Sequence, residues 1–221
     1  MHTGTALALS ALCVAAVASP SHSALVRPPD MARREVRGHV LVSYDQPKIQ
    51  VRVDKAFVPL PVLGFAIKNS TWAERYIFVD AGADRTIRRM LIVQFEQALP
   101  NSTFRFHYPP NPPIEWGGET YRKGAFALDD AKEMTDNPDA EVSQTRRYLA
   151  TRGYQSGMYW HVARLARVSD PSGNTEIIVF YEEAVTQAAF AAPRSENDDG
   201  LPSPLADALF TRLKAVITPN P

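Results

Sequence analysis

Thr71 to Glu96 reads TWAERYIFVDAGADRTIRRMLIVQFE, two strand-like runs around a tight turn. Tyr76-Ile77-Phe78-Val79 and Met90-Leu91-Ile92-Val93 are rich in residues that fit a pleated, buried surface. Between them lies Ala81-Gly82-Ala83-Asp84. Glycine accepts the positive φ of a tight turn, and aspartate bonds its own backbone. A four-residue loop pairs Asp80 with Arg85, Phe78 with Ile87, Tyr76 with Arg89 and Trp72 with Val93. The other face then sets Ile77 opposite Arg88 and Ala73 opposite Ile92. A sheet wetted on one side alternates cleanly between apolar and polar residues. Neither face does so here, and the hairpin predicts cover on both.

Gly157–Val168 and Thr175–Glu183 form a second hairpin around Asp170-Pro171-Ser172-Gly173-Asn174, the clearest turn signal in the chain. Pairing Ser169 with Thr175 sets His161 opposite Glu183. Upstream, Glu35–Tyr44 and Lys48–Lys55 read as two strands, the second with Ile49, Val51 and Val53 at period two. Val62–Lys68 is a further strand, held to an edge by Pro59 and Pro61. Thr103–Tyr108 is a short strand leading into Pro109-Pro110-Asn111-Pro112-Pro113, an extended surface run. Trp116 follows in a flexible turn with Gly117-Gly118.

Helical signals come later. Asp129–Met134 reads as a short helix. Asn137 as cap and Pro138 at the first helical position start a helix that runs to Arg152 and stops at Gly153. Its Arg146, Arg147 and Arg152 lie toward the C-terminus, where cations oppose the macrodipole. Residues 186–200 are small and polar, a loop. Ser203-Pro204 opens a last helix to Ile217, with a stripe of Leu205, Leu209, Phe210, Leu213, Val216 and Ile217. The order predicts an α+β fold. A mainly antiparallel sheet is built from two long hairpins plus N-terminal strands, with one mid-chain helix and a C-terminal amphipathic helix packed on it.

The 24 basic and 24 acidic side chains of the 221-residue chain cancel, which gives no electrostatic argument for nucleic acid. Ala6–Ala18 is an apolar run of 13 residues. A helix needs about 20 to cross a bilayer, so the run fits a signal-peptide core instead. The expected organisation is a signal peptide over 1–23, a linker over 24–34 and a single α+β domain over 35–221. That organisation places the protein outside the cell or in the periplasm, with no transmembrane segment in the mature chain. Cys13, the only cysteine, lies in the signal. The mature chain then has no disulfide, thiolate metal site or cysteine nucleophile.

His161 and Glu183, on one face with Tyr159 and Tyr181, are the candidate acid–base pair, although such a pair also occurs as ordinary cross-strand packing. The chain holds no Gly-x-Ser-x-Gly elbow, no His-x-x-x-His and no glycine-rich phosphate loop. No cofactor and no metal site are expected. Asp129-Asp130 and Asp198-Asp199 read as solvated helix-start and loop charges. Trp72, Trp116, Tyr121, Tyr159, Trp160 and Tyr181 are the candidates for lining a ligand pocket, with core packing as the competing role. The leading expectation is an exported, non-enzymatic domain that binds a small apolar ligand or a partner protein of the cell envelope. The alternatives are an enzyme using His161 with Glu183, and a structural interaction module without a pocket.

Overall fold

The structure, a computed structural model, describes residue 27 and residues 31–108, 113–191 and 200–220. In chain order these form β1 (Arg34–Arg37), β2 (Val40–Ser43), β3 (Ile49–Val53), β4 (Val58–Pro59), β5 (Leu63–Ile67), β6 (Thr71–Ala81) and β7 (Ile87–Ala98). Then come β8 (Pro113–Trp116), β9 (Glu119–Asp129), α1 (Asp130–Asp136), α2 (Glu141–Thr151), β10 (Tyr159–Val168), β11 (Thr175–Val185), α3 (Gln187–Phe190), α4 (Ser203–Val216) and β12 (Ile217–Asn220). The fold is α+β and mostly antiparallel sheet, as the order of sequence signals predicts.

The large sheet runs β4-β6-β7-β11-β10-β9-β8, and β5 shares the β6 edge with β4. A smaller sheet runs β1-β2-β3-β12. The two predicted hairpins, β6–β7 and β10–β11, lie side by side through β7 and β11. Tyr76, Phe78, Leu91, Val93, Phe95, Leu165, Ile177, Val179 and Tyr181 form one face. The small sheet covers it with Leu41, Ile49, Val51 and Val53, and α4 covers it with Leu209, Phe210 and Leu213. Ile77, Val79, Met90, Ile92, Trp160 and Val162 form the opposite face, under Leu149 of α2. Each fully buried leucine of this kind contributes about 1.5–3 kcal/mol relative to exposure.

Both faces of the central hairpin are therefore covered, but by different elements than the sequence order implies. The helices divide between the faces, and the N-terminal strands form a sheet of their own. Glu35–Tyr44 is not one strand: Gly38, at φ +60°, turns it into the β1–β2 hairpin. Residues 31–34 of the expected linker join the domain, with Met31 and Ala32 buried and Arg27 bonded to Glu74. The residues of the expected signal peptide lie outside the described residues, as do 109–112 and 192–199.

The central register also differs. Asp80 pairs with Arg89 rather than Arg85, Phe78 with Leu91 and Tyr76 with Val93. The turn is longer than read: Gly82 N–H bonds Thr86 O, Asp84 accepts from Thr86, and an irregularity follows at Asp80/Ala81. The shift of four residues is even, so every side chain keeps its face. The second hairpin has the register read from its turn, with Ser169 bonded to Thr175 and His161 opposite Glu183.

Four further elements depart from the reading. Thr103–Tyr108 is not a strand; its Phe106 N–H reaches Gly173 O instead. Trp116-Gly117-Gly118 is not a flexible turn but a tight connection between β8 and β9, both glycines having positive φ. Helix α2 begins at Glu141, with Ala140 as its cap, rather than at Pro138 with Asn137 as cap, because Asn137 caps the C-terminus of α1. Its Arg146 points into the protein rather than to the helix end. After α4 the chain turns back as β12, pairing Ile217 with Val53 and Pro219 with Val51.

A Cβ on Gly117 would stand 2.4 Å from Pro219 Cγ at a φ of +63°, whereas Gly118, at +77°, has open space around it. Gly117→Ala is expected to lower the urea-unfolding free energy by more than about 2 kcal/mol, and Gly118→Ala by only about 1 kcal/mol, the backbone cost alone. Equal losses would show that the β8–β9 turn does not press on β12.

Candidate functional site: a cleft on the helical face

Helix α2 is too short to span the sheet it covers. Its Leu149 end sits over β6, β7 and β10, while its N-terminal end stands off from the β9–β10–β11 floor. The result is a cleft of about 1230 Å³. Phe126 and Leu128 of β9, Val162 and Arg164 of β10, and Phe180 and Glu182 of β11 line it below. Phe65, Trp72 and Arg75 close one side, and Glu141 and Arg147 of α2 the other.

Buried ion networks hold α2 in this position. Arg75 donates to Gln94 Oε1 through Nε, to Thr145 Oγ1 at 2.5 Å and Glu141 O at 3.1 Å through Nη1, and to Glu141 Oε2 at 2.5 Å through Nη2. Its guanidinium lies 5.4 Å from the Phe180 ring centre and 5.7 Å from that of Phe65. A turn along the helix, Arg146 bridges Asp130 Oδ2 and Glu182 Oε2, each at 2.6 Å. The Trp160 indole N–H reaches the same Asp130 oxygen at 2.9 Å. Burial pushes the Asp130 carboxyl up, against the pull of Arg146, and Arg146 stays above its ordinary value because its two acids outweigh burial.

Behind the cleft lies a cluster of acids. Glu96 of β7 and Glu176 of β11 are direct cross-strand partners, and both are buried. Like charges set opposite on a sheet repel. Burial first, then the charges of Glu141 and Glu176, raises the Glu96 carboxyl well above the usual carboxylate range. Burial pushes Glu176 up to about 7, although the Tyr108 hydroxyl and the Arg164 charge favour its ionised form. Tyr108 in turn donates to Glu176 and accepts from Arg164 Nη2 at 2.9 Å.

Of the aromatic residues singled out in the sequence, Trp72 lines this cleft, packed on Gly64 of β5. Trp116 and Tyr121 meet edge to face at 5.5 Å in the core between the two sheets. Tyr181 is buried in the same core. Tyr159 stacks on Phe190 of α3 at 4.7 Å. Trp160 is buried beneath the Arg146 guanidinium. The structure brings together one face of β10–β11 for His161 and Glu183, but the two do not bond each other. Glu183 accepts from Tyr181 at 2.6 Å and from Arg212 at 2.6 and 2.9 Å. His161 is buried, its imidazole pKa is lowered by that burial, and it bonds the Ala189 backbone. Neither side chain lines the cleft.

Sequence reasoning missed Phe126 and Leu128 because it placed no strand over 119–129, although Phe126 and Leu128 alternate in KGAFALD. It also missed Glu96 and Glu176, whose signal is an acid at a strand position that its neighbours mark as inward. Among the described residues no group of three or more His, Cys, Asp or Glu side chains is placed to hold a metal ion. No described helix is long and apolar enough to cross a membrane. Comparison with protein-family models, with curated proteins and with solved structures found no match.

Raised carboxyl values mean that the fold keeps protons which the unfolded chain has released. The associated stability is complete below the unfolded value near 4.5 and is lost as pH rises through about 7 for Glu176. Urea-unfolding free energy is expected to fall by on the order of 2 kcal/mol between pH ~5 and ~8. In the Glu96→Gln/Glu176→Gln double variant the profile flattens; an unchanged slope would place the titration elsewhere.

Proposed function

We propose that this chain is an exported binding protein that holds a small molecule with an apolar body in the cleft over β9, β10 and β11. The observation that carries the reading is an apolar patch of Phe126, Leu128 and Phe180, left half-exposed beside buried Val162 on a sheet that is otherwise packed on both faces. A preformed concavity with an apolar base and a few convergent polar groups is the usual makeup of a small-molecule site. Binding is favoured over catalysis by the state of the wall. Arg75 is committed to Gln94, Thr145 and Glu141, and Glu182 to Arg146. These groups fix the shape of the cleft, and Glu176, the acid pushed up to about 7, lies behind the described lining rather than in it. Export is supported by the apolar run Ala6–Ala18.

Nile red, an uncharged dye that brightens in apolar surroundings, tests the reading. The purified chain is expected to bind one equivalent, with partial quenching of Trp72 emission. Phe126→Glu and Phe180→Glu each place a charge on the floor and weaken binding by more than about tenfold, while the circular dichroism spectrum is retained. Dye binding that both variants leave intact would overturn the cleft as the site.

A further inference from the structure

Arg164 sits at one end of the cleft floor, on β10, with Phe180 opposite it on β11 and, just past the lining, Gly124 opposite it on β9. Among the described residues it makes a single hydrogen bond, from Nη2 to the Tyr108 hydroxyl at 2.9 Å. No carboxylate among the described residues accepts from its remaining donors. Arg75, at the side of the cleft, has every nitrogen engaged. Beside Arg164 there is also room: a Cβ built on Gly124 meets nothing within 4 Å. A half-buried guanidinium with free donors, a gap next to it and aromatic and aliphatic side chains beyond it match a carboxylate attached to an apolar chain. A planar fork receives a carboxylate with two parallel bonds.

The surrounding charges favour an anion there. Arg122 of β9 and Arg164 flank the Tyr108 ring at 5.3 and 5.4 Å. Facing them are Glu176 and Glu182 on β11, Glu96 on β7 and Glu141 on α2. Glu182 is bonded to Arg146 and Glu141 to Arg75 and Gln94. Glu96 accepts from Gln94, and Glu133 and Asp139 line the cleft from the α1–α2 side, which leaves Glu176, bonded by Tyr108, as the acid that feels the Arg164 charge. We infer that the cleft selects amphipathic carboxylates, with Arg164 receiving the head group in the gap over Gly124 and the chain lying on Phe126, Leu128 and Phe180. The inference rests on the cleft reading above and adds the ligand class and the residue that recognises it. It also predicts a proton link. Burial holds the Glu176 pKa at about 7, so at pH 6 this acid is mostly neutral and does not compete for Arg164. As pH rises past 7 it charges, and the anion is bound less tightly.

Displacement of Nile red by decanoate, 1-decanol and decylammonium separates the two claims. Decanoate is expected to displace the dye about fivefold more tightly than decanol at pH 6, and decylammonium least tightly. The preference for decanoate shrinks at pH 8.5, where decanoate itself is still fully ionised. Arg164→Gln removes the preference, bringing decanoate to the level of decanol in the same variant. Gly124→Val, at an unstrained strand position with open space, blocks the head group and does the same with the floor intact. Glu176→Gln keeps the preference and makes it independent of pH; should Arg164→Gln not fold, this variant and Gly124→Val decide. Decanol or decylammonium displacing as well as decanoate would overturn the carboxylate inference while the cleft reading stands. Failure of Nile red to bind at all would overturn the cleft reading and the inference with it.

Discussion

The β6, β7, β10 and β11 strands are apolar on both faces, and the rest of the molecule is arranged to keep both away from water. Ile77, Met90, Ile92 and Val162 on one side and Phe78, Leu91, Val93 and Val179 on the other are almost entirely buried. At roughly 25 cal/mol for each Å² of apolar surface, neither face could be left exposed without consuming the whole net stability of a domain this size. One face meets a second sheet and α4, which together span it. The other meets α2, which does not. The cleft is the geometric remainder of covering a wide sheet with an eleven-residue helix.

Position of that helix depends on charge as much as on Leu149. Burying Arg75 and Arg146 is costly unless every nitrogen finds a partner, and each finds acids on a different element. An apolar helix face can slide over an apolar sheet; a guanidinium clasped between α1, α2 and β11 fixes one depth and one direction. The same low-dielectric surroundings make the Glu96–Glu176 pair expensive to ionise twice. Stability of the helical face and charge in the cleft are thereby tied to one pair of protons.

The legible parts of the fold were those with a local signature. Asp170-Pro171-Ser172-Gly173-Asn174 closes on its own side chain: Asp170 accepts from Ser172 and Thr175, which hold it down to about 2 against the effect of burial. A turn determined by its own residues sets the hairpin register, and the His161–Glu183 pairing follows. The Ala81–Thr86 turn has Gly82 and Asp84 too, but the ladder is irregular at Asp80/Ala81, and the register differs by four residues from the one a simple four-residue loop gives. Strand β9 went unread because Gly124 and two alanines dilute its pattern; it becomes a strand by lying against β10. Pro219 carries no strand signal of its own and is a strand residue by lying beside Val51 of β3.

Sequence alone determined the class of fold, the two long hairpins, the extent of the C-terminal helix and the demand for cover on both sheet faces. Each follows from residue-by-residue patterning, which acts over a few positions along the chain. Tertiary structure decided which elements supply the cover, which of the marked aromatics face a cleft, and which acids stand opposite each other. Trp72 faces the cleft while Trp116 and Tyr121 fill the core, although nothing in their local sequence separates them. Glu96 and Glu176 lie 80 positions apart in the chain and meet only because β7 and β11 pair. Their shared burial arises from that pairing, a long-range contact that no local pattern records.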